Sequence, residues 1–558
     1  MAQKMLFGAM QKKGSRKSDS KLVKQATPKK AEPVTYVTGN KFKDVVIQAK
    51  SMSHRILGHL LDKLELVIDE ERLEQYVNKI LENEVYAIDT ETSGLLPYKD
   101  ICAGICLYTP GEKGIYVPVN HLSQLTHQRV KRQLDPKFVA KQLQRLVDKN
   151  ISWIGHNCKF EMNVCYWQLH VRLNAPTWDT LTASILLNEN ESHSLKTQHI
   201  KYVVGNEDAQ TAKFNSLFQG IQFPLIPTDV AYMYAAYDPI MTYELYEFQL
   251  PYLTEDNQTC IDFGLESVAK YFHEIEMPLI EVLFDMEIYG VNLDIDFMEE
   301  LRERFTKELD DAEREFKELI SEYQEDFEDL RSYDFGAYRK LELDEKGNVT
   351  VSITSSTQLA ILFYDILGYT SSDKKKPRGT GADILASFNT PISEVILRYR
   401  KFAKLVSTYL NMDEFQARND GRVHTNYNAN GARTGRMSSD KPNLQNIPAR
   451  SEEGKLIRQM FTASDGYFIV GSDYSQQEPR SLSYLANDQS MIDAYKQGRD
   501  LYAAIGYTLY KLPYEDCLEF YPDGSPNKEG GKRRNNVKSV LLGQHIGSFP
   551  LNVAKRCA

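Results

Sequence analysis

An apolar run at residues 85–88 ends abruptly in Asp89-Thr90-Glu91. Side chains two positions apart on a strand point to the same side, so Asp89 and Glu91 face one way at its end. Near neutral pH, two carboxylates held together need a cation or protons to relieve their repulsion. The surroundings are those of a layered domain. The stretch LEQYVNKILEN precedes the strand with helical spacing, and a hairpin follows it, turning through Pro110-Gly111. Residues 137–148 again show helical spacing, and Ile151, Trp153 and Ile154 read as a further strand ending in His156-Asn157. Mixed strands and helices of this kind predict an α/β domain running from about residue 56 to 255.

The chain holds 558 residues, enough for two to four domains with sizeable cores. Residues 1–50 carry twelve Lys or Arg against three acids and little apolar periodicity, so 1–55 is predicted to be a basic disordered tail. Charges of both signs at i,i+3 and i,i+4 separations across 297–326 predict a long solvated helix. It falls within a helical region over 256–415, which also holds the basic loop 371–381 and helical patterns from 382 to 412. The chain then becomes polar and Asn/Gly-rich before a predicted strand at 467–470. There is no apolar run of membrane-spanning length and no signal peptide, so a cytoplasmic protein without a membrane partner is expected. Of seven cysteines only Cys102 and Cys106 lie close together, and no second pair completes a zinc set. The net charge of −10 leaves room for a local basic cleft on an acidic body, because phosphate binding depends on where the cations sit.

Two further acidic segments extend the first. Asn157-x-x-Phe160-Glu161 follows the strand at 151–154, and Tyr234-x-x-x-Asp238 lies in a helical-looking stretch that puts both side chains on one face. In this order the three segments resemble the DEDDy 3′-5′ exonucleases, in which four carboxylates bind two divalent metals and a tyrosine orients the attacking water. The resemblance implies an RNase H-like mixed sheet with flanking helices. It makes Asp89, Glu91, Glu161 and Asp238 the metal ligands and Tyr234 the orienting residue. Glu161 stands where that family usually has aspartate. The extra methylene moves the ligand oxygen by roughly an ångström, and misplacements of that order cost about a hundredfold in rate, so attenuated excision is expected.

A second constellation begins at Gly471-Ser472-Asp473-Tyr474-Ser475-Gln476-Gln477-Glu478-Pro479-Arg480. It resembles the Asp-Tyr-Ser-Gln-x-Glu-x-Arg signature of family A DNA polymerases. The resemblance implies metal binding by Asp473 and by the Tyr474 carbonyl, nucleotide contacts from Gln476, and sugar selection by Glu478. Upstream, Thr434-Gly435-Arg436 and Asn443-Leu444-Gln445-Asn446 resemble the family segment that contacts primer–template duplex, with Arg480 as a further DNA contact. Arg, Gln and Asn donors suit that task, because every base pair presents a minor-groove acceptor at equivalent positions. Arg534 and Lys538 are four apart, hence on one helical face, with Leu542 a turn further. In the family, such a face grips the triphosphate. Tyr502 occupies a place where the family often has a histidine.

Together these resemblances imply a bacteriophage-type polymerase: an α/β exonuclease domain followed by an incomplete α+β right-hand polymerase domain. Its parts are a helical thumb over 256–415, a partial palm over 416–495 and the start of the fingers over 496–558. The likeness stops at Gly543, before a second palm aspartate, so residues 544–558 are expected to be non-native to the family and a separate C-terminal polymerase fragment becomes an expected partner. The implied ligands are primer–template DNA, deoxynucleoside triphosphates, and two Mg²⁺ per active site, with Mn²⁺ as a substitute. Two alternatives stand beside this reading: a stand-alone DNA 3′-5′ exonuclease, and a non-catalytic DNA-binding subunit. If phage-encoded, the protein would work in the host cell cytoplasm.

Overall fold

A computed structural model describes residues 46–52, 61–205, 221–417, 420–449 and 451–545, with the side chains of 413–414 and 542–545 undescribed. It divides into two compact units, one ending at Tyr467 and the other beginning at Phe468. The division falls inside the stretch 416–495 expected to be a partial palm.

The first unit is built on a six-stranded sheet. Its strands are β1 (Leu64–Leu66), β2 (Val85–Thr92), β3 (Cys102–Tyr108), β4 (Gly114–Pro118), β5 (Ser152–Gly155) and β6 (Trp178–Asp179). Their spatial order is β1-β4-β3-β2-β5-β6. β2 pairs antiparallel with β3 and parallel with β5, so the strand bearing the acids is central.

Alternation decides which face each residue covers. Ile105 and Leu107 of β3 and Ile115 and Val117 of β4 enter one core cluster, whereas Cys106 and Tyr116 enter another. Both faces are therefore covered, as a mixed α/β sheet requires. The first cluster also takes Leu73, Tyr76, Val77 and Ile80 from α1 (Glu70–Asn83) and Val139, Leu143 and Leu146 from α2 (Pro136–Asp148). Both helices start on an aspartate cap: Asp69 accepts from the Arg72 N–H, and Asp135 from the Lys137 N–H. The second cluster takes Val230, Ala231 and Ile240. Asp89 is paired with Cys106 and Glu91 with Gly104, and residues opposed in a sheet share a face. The acid pair therefore points to the side on which Val230, Ala231 and Ile240 pack.

Four more helices position the site: α3 (Cys158–Val164), α4 (Leu195–His199), α5 (Thr228–Ala235) and α6 (Asp238–Gln249). The sequence predicted one helix through Tyr234 and Asp238, but the structure breaks it after Ala235. Pro239 has no N–H to give the Ala235 carbonyl, so the helix restarts at Asp238.

Beyond the sheet, α7 (Met277–Tyr289) leads to β7 (Val291–Asn292) and then to α8 (Ile295–Ile320). The predicted helix over 297–326 ends earlier, at Ile320, and is not solvated all round. Met298, Leu301, Phe305, Ala312, Phe316 and Ile320 form a buried stripe. A separate core of Phe316, Phe327, Phe363, Leu385 and Ile396 gathers a small hairpin, β8 (Glu342–Leu343) with β9 (Val349–Thr350), and the start of α9 (Pro391–Tyr409). α9 packs along α8. The chain returns through β10 (Arg422–Val423), which pairs with β7, and β11 (Asn426–Asn428), which pairs with β12 (Ser438–Asp440).

Two further expectations fail. The basic tail predicted over 1–55 contains a helix at 46–52, because Val46, Ala49 and Met52 pack on the second cluster; residues 1–45 lie outside the described ones. The strand predicted at 467–470 does not form. Tyr467, Phe468, Ile469 and Val470 are 67–91% exposed. Strand-forming side chains are not sufficient, since a strand must exchange backbone hydrogen bonds with a neighbour, and among the described residues none pairs with it.

The second unit is helical: α10 (Gln477–Leu485), α11 (Gln489–Lys496), α12 (Leu501–Tyr510) and α13 (Lys528–His545). Leu501, Tyr502, Ala503, Cys517 and Val537 are buried. Residues 546–558, most of the segment expected to be non-native, lie outside the described ones. Among the described residues, no helix is long and apolar enough to cross a membrane.

Candidate active site

Asp89, Glu91 and Asp238 come together in the first unit, with ligand oxygens all within 4.8 Å of one another. The acid pair arrives on β2 and Asp238 on the first turn of α6. Glu161 is buried on α3, close enough to Asp89 for the two charges to oppose one another, yet it does not join the 4.8 Å set. Tyr234 and Asp238 meet through a third group. The Lys196 ammonium on α4 lies 3.4 Å from the Tyr234 ring centroid and 3.6 Å from Asp238 Oδ1.

The carboxylates strain against their surroundings. Burial pushes the carboxyls of Asp89, Glu91 and Glu161 well above the usual range, and repulsion from Asp238 on Asp89, and from Asp89 on the other two, adds to it. Asp238 is also raised by burial, against the pull of Lys196. Two buried oxygens, Glu161 Oε2 and Asp238 Oδ1, have no hydrogen-bond partner among the described residues. Such orphaned acceptors are costly unless something outside the chain completes them. A hard divalent cation with oxygen ligands fits this donor set.

The sign of the pH dependence follows. Raised folded-state pKa values mean that the native chain without metal keeps protons which the unfolded chain releases. That stabilisation is fully present below the ordinary carboxylate range and is lost as pH rises through the elevated values. A divalent cation removes the penalty. The rise in melting temperature on adding a divalent salt is therefore expected to be larger at about pH 8 than at about pH 5, measurable by scanning fluorimetry. Equal rises would contradict the buried-cluster assignment.

Three supporting groups carried no motif in the sequence. Asp179, at the end of β6, accepts from the Asn157 and Cys158 N–H groups at 2.9 and 3.2 Å, and so fixes the start of α3 and with it Glu161. Lys159 forms a buried ion pair with Glu287 of α7 and donates to Asn426 Oδ1 of β11 at 2.8 Å. Lys196 is the third. Each depends on a partner distant in sequence, which local spacing does not reveal.

The second constellation is more dispersed. Asp473 and Tyr474 are exposed in an irregular stretch, and among the described residues Asp473 joins no group of three metal-ligating side chains. Thr434, Arg436 and Gln445 are exposed, while the Asn443 carboxamide oxygen accepts from the Gln445 and Asn446 N–H groups. Glu478 and Arg480 are exposed at the start of α10, with the Arg480 guanidinium 4.3 Å from the Tyr495 ring centroid. Gln476 and Arg534 do converge. Both donate to Asp500 Oδ2, at 2.9 and 3.0 Å, and Arg534 lies over the Tyr502 ring at 5.2 Å. Asp500 is the residue that sequence reasoning missed here; its other oxygen caps α12 through the Ala503 N–H. Lys538 is exposed on α13, and Leu542 shares that helix, its side chain outside the described ones.

Residues 64–251 match the family described as 3′-5′ exonuclease, and residues 317–521 match DNA polymerase family A. DNA polymerase I of Chloroflexus aurantiacus is 29% identical over 508 residues, covering 88% of this chain and 47% of that protein. The DNA polymerase of Escherichia phage T5 is 25% identical over 523 residues, covering 88% of this chain and 55% of that protein. The chain thus spans about half the length of the curated relatives it matches. The fold resembles the POL domain of Pol1 from M. smegmatis, solved in complex with DNA primer-template and dNTP. The TM-score is 0.61 at 20% identity, covering 88% of this chain and 73% of that one.

Proposed function

We propose, from the premise that this chain is a 3′-5′ exonuclease domain followed by a family A DNA polymerase domain, that it excises nucleotides from DNA 3′ ends as the proofreading part of a DNA-directed DNA polymerase. The observation that carries the reading is the convergence of Asp89, Glu91 and Asp238 within 4.8 Å beside the orphaned carboxylate oxygen of Glu161. Those four residues would hold two divalent cations, magnesium or manganese. When bound, such ions supply Lewis-acid polarisation and neutralise charge on the phosphate.

The chain's own residues do the rest. The Tyr234 hydroxyl is the group assigned to orient the attacking water, as in the DEDDy subtype. Asp179 keeps α3, and therefore Glu161, at a fixed place against β2. A groove of about 190 Å³, lined among others by Tyr98, Phe160, Trp167 and Lys441, shares helix α3 with Glu161. Aromatic rings with a cation suit the stacking and charge of a single strand.

For synthesis, Thr434, Arg436, Asn443, Gln445 and Asn446 of the first unit, and Arg480 of the second, are the residues assigned to contact primer–template. Asp473 and the Tyr474 carbonyl would bind metal. Gln476, Glu478, Arg534, Lys538 and Leu542 would meet the deoxynucleoside triphosphate. A bacteriophage origin and a host cytoplasmic setting belong to the same reading. The test is an end-labelled duplex with a mismatched 3′ terminus, incubated with Mg²⁺. Mononucleotide release that is unchanged in Asp473→Ala is expected. Release of nothing, or loss on changing Asp473, would overturn the assignment of excision to the first unit.

A further inference from the structure

Among the described residues Lys196 is the lysine that reaches into the acidic cluster of the first unit, and no acidic motif accounts for it. It stands on the short helix α4, and its side chain retains 29% exposure where Asp238 retains 12%. The stem reaches inward and delivers its charge between two residues assigned to the reaction. Its distance from Asp238 Oδ1, 3.6 Å, is longer than a hydrogen bond, and that oxygen has no hydrogen-bond partner among the described residues. The ammonium therefore offsets the carboxylate's charge without claiming the lone pair that a metal ion would use. The same ammonium lies 3.4 Å from the Tyr234 ring centroid, where attraction to the ring face is strong. One cation thus ties the tyrosine of α5 to the aspartate of α6, across the break that Pro239 imposes between them.

We propose that Lys196 is a positioning residue of the exonuclease site: a resident cation that holds Tyr234 and Asp238 in register and weakens divalent binding beside Asp238. The inference rests on the exonuclease reading of this site. A fixed positive charge near a metal position repels the incoming ion, and in a half-buried site that repulsion is only partly screened. Removing it should tighten metal binding while loosening the tyrosine, so metal affinity and turnover move in opposite directions. A merely structural lysine would lower both.

The experiment measures Mn²⁺ affinity by calorimetry on the full chain for wild type, Lys196→Met, Lys196→Gln, Lys196→Arg and Asp89→Ala. Steady-state excision of a single-stranded DNA 3′ end is followed alongside. The methionine and glutamine variants should bind Mn²⁺ on the order of tenfold more tightly. Their kcat should fall on the order of tenfold with KM changed less than about twofold. Lys196→Arg keeps the charge and should bind Mn²⁺ like wild type. The proposal is overturned if folded Lys196→Met or Lys196→Gln binds Mn²⁺ as wild type does, or more weakly. Failure of the underlying reading looks different: wild type then binds Mn²⁺ in an Asp89-dependent way without cleaving DNA, and the comparison of affinities still decides the role of Lys196.

Discussion

Replacing Asp89 with alanine is expected to lower 3′-terminal excision by about a thousandfold or more, equivalent to roughly 4 kcal/mol of transition-state stabilisation. Asp89 sits on the central strand, its ligand oxygen within 4.8 Å of those of Glu91 and Asp238, so its loss removes a shared anchor from the cation set. The loss should not come from misfolding. Burial and the repulsion of Asp238 already push the Asp89 carboxyl well above its usual range, so removing it relieves repulsion in the chain without metal. Asp89→Ala should therefore melt at a temperature equal to or above that of wild type when divalent ions are chelated, and below it when they are present. A variant that excises within about tenfold of wild type would remove Asp89 from the reaction.

The second large effect concerns stability. Lys159→Ala is expected to cost about 3–5 kcal/mol of unfolding free energy, because it strands a buried carboxylate. Side-chain exposures are 12% for Lys159 and 7% for Glu287. Glu287 also accepts from the Asn163 carboxamide at 2.7 Å and the Tyr427 N–H at 2.6 Å. The pair therefore joins α3, α7 and β11 within the first unit. Burial raises the Glu287 carboxyl against the pull of Lys159. Without the lysine its folded-state pKa climbs further, so the loss should be greatest at high pH and shrink as falling pH protonates it. Replacing both partners, as Lys159→Met with Glu287→Leu, should cost much less than either single change. Urea unfolding of Lys159→Ala, Lys159→Met, Glu287→Leu and the double variant measures this; a single-variant cost below about 1 kcal/mol would mean that the pair is solvated.

The sequence was readable where chemistry is carried by local pattern. The strand ending in Asp89 and Glu91 announced itself by an apolar run and a period of two, and the sheet register then sends both acids to the face where Asp238 arrives. It was misread where partners decide. The aromatic and branched residues at 467–470 have strand character, but propensity records side chains and not neighbours, and they stand exposed. Pro239 was in plain view, and its missing N–H, weighed against the helical pattern, would have given the break after Ala235. Lys196 was beyond reach, since nothing in SHSLKTQHIKYV distinguishes an inward lysine from a solvated one. Asp500 was half legible. Its position before Leu501 reads as a helix cap, but its bond to Arg534 spans 34 residues and exists only once the second unit has folded.

Anomalous diffraction from crystals of the protein soaked in manganese tests the central claim most directly. Manganese is expected within coordination distance of Asp89, Glu91 and Asp238 in wild type, and to vanish from that place in Asp89→Ala. Protein that still removes 3′-terminal nucleotides with no manganese among those three carboxylates would contradict it.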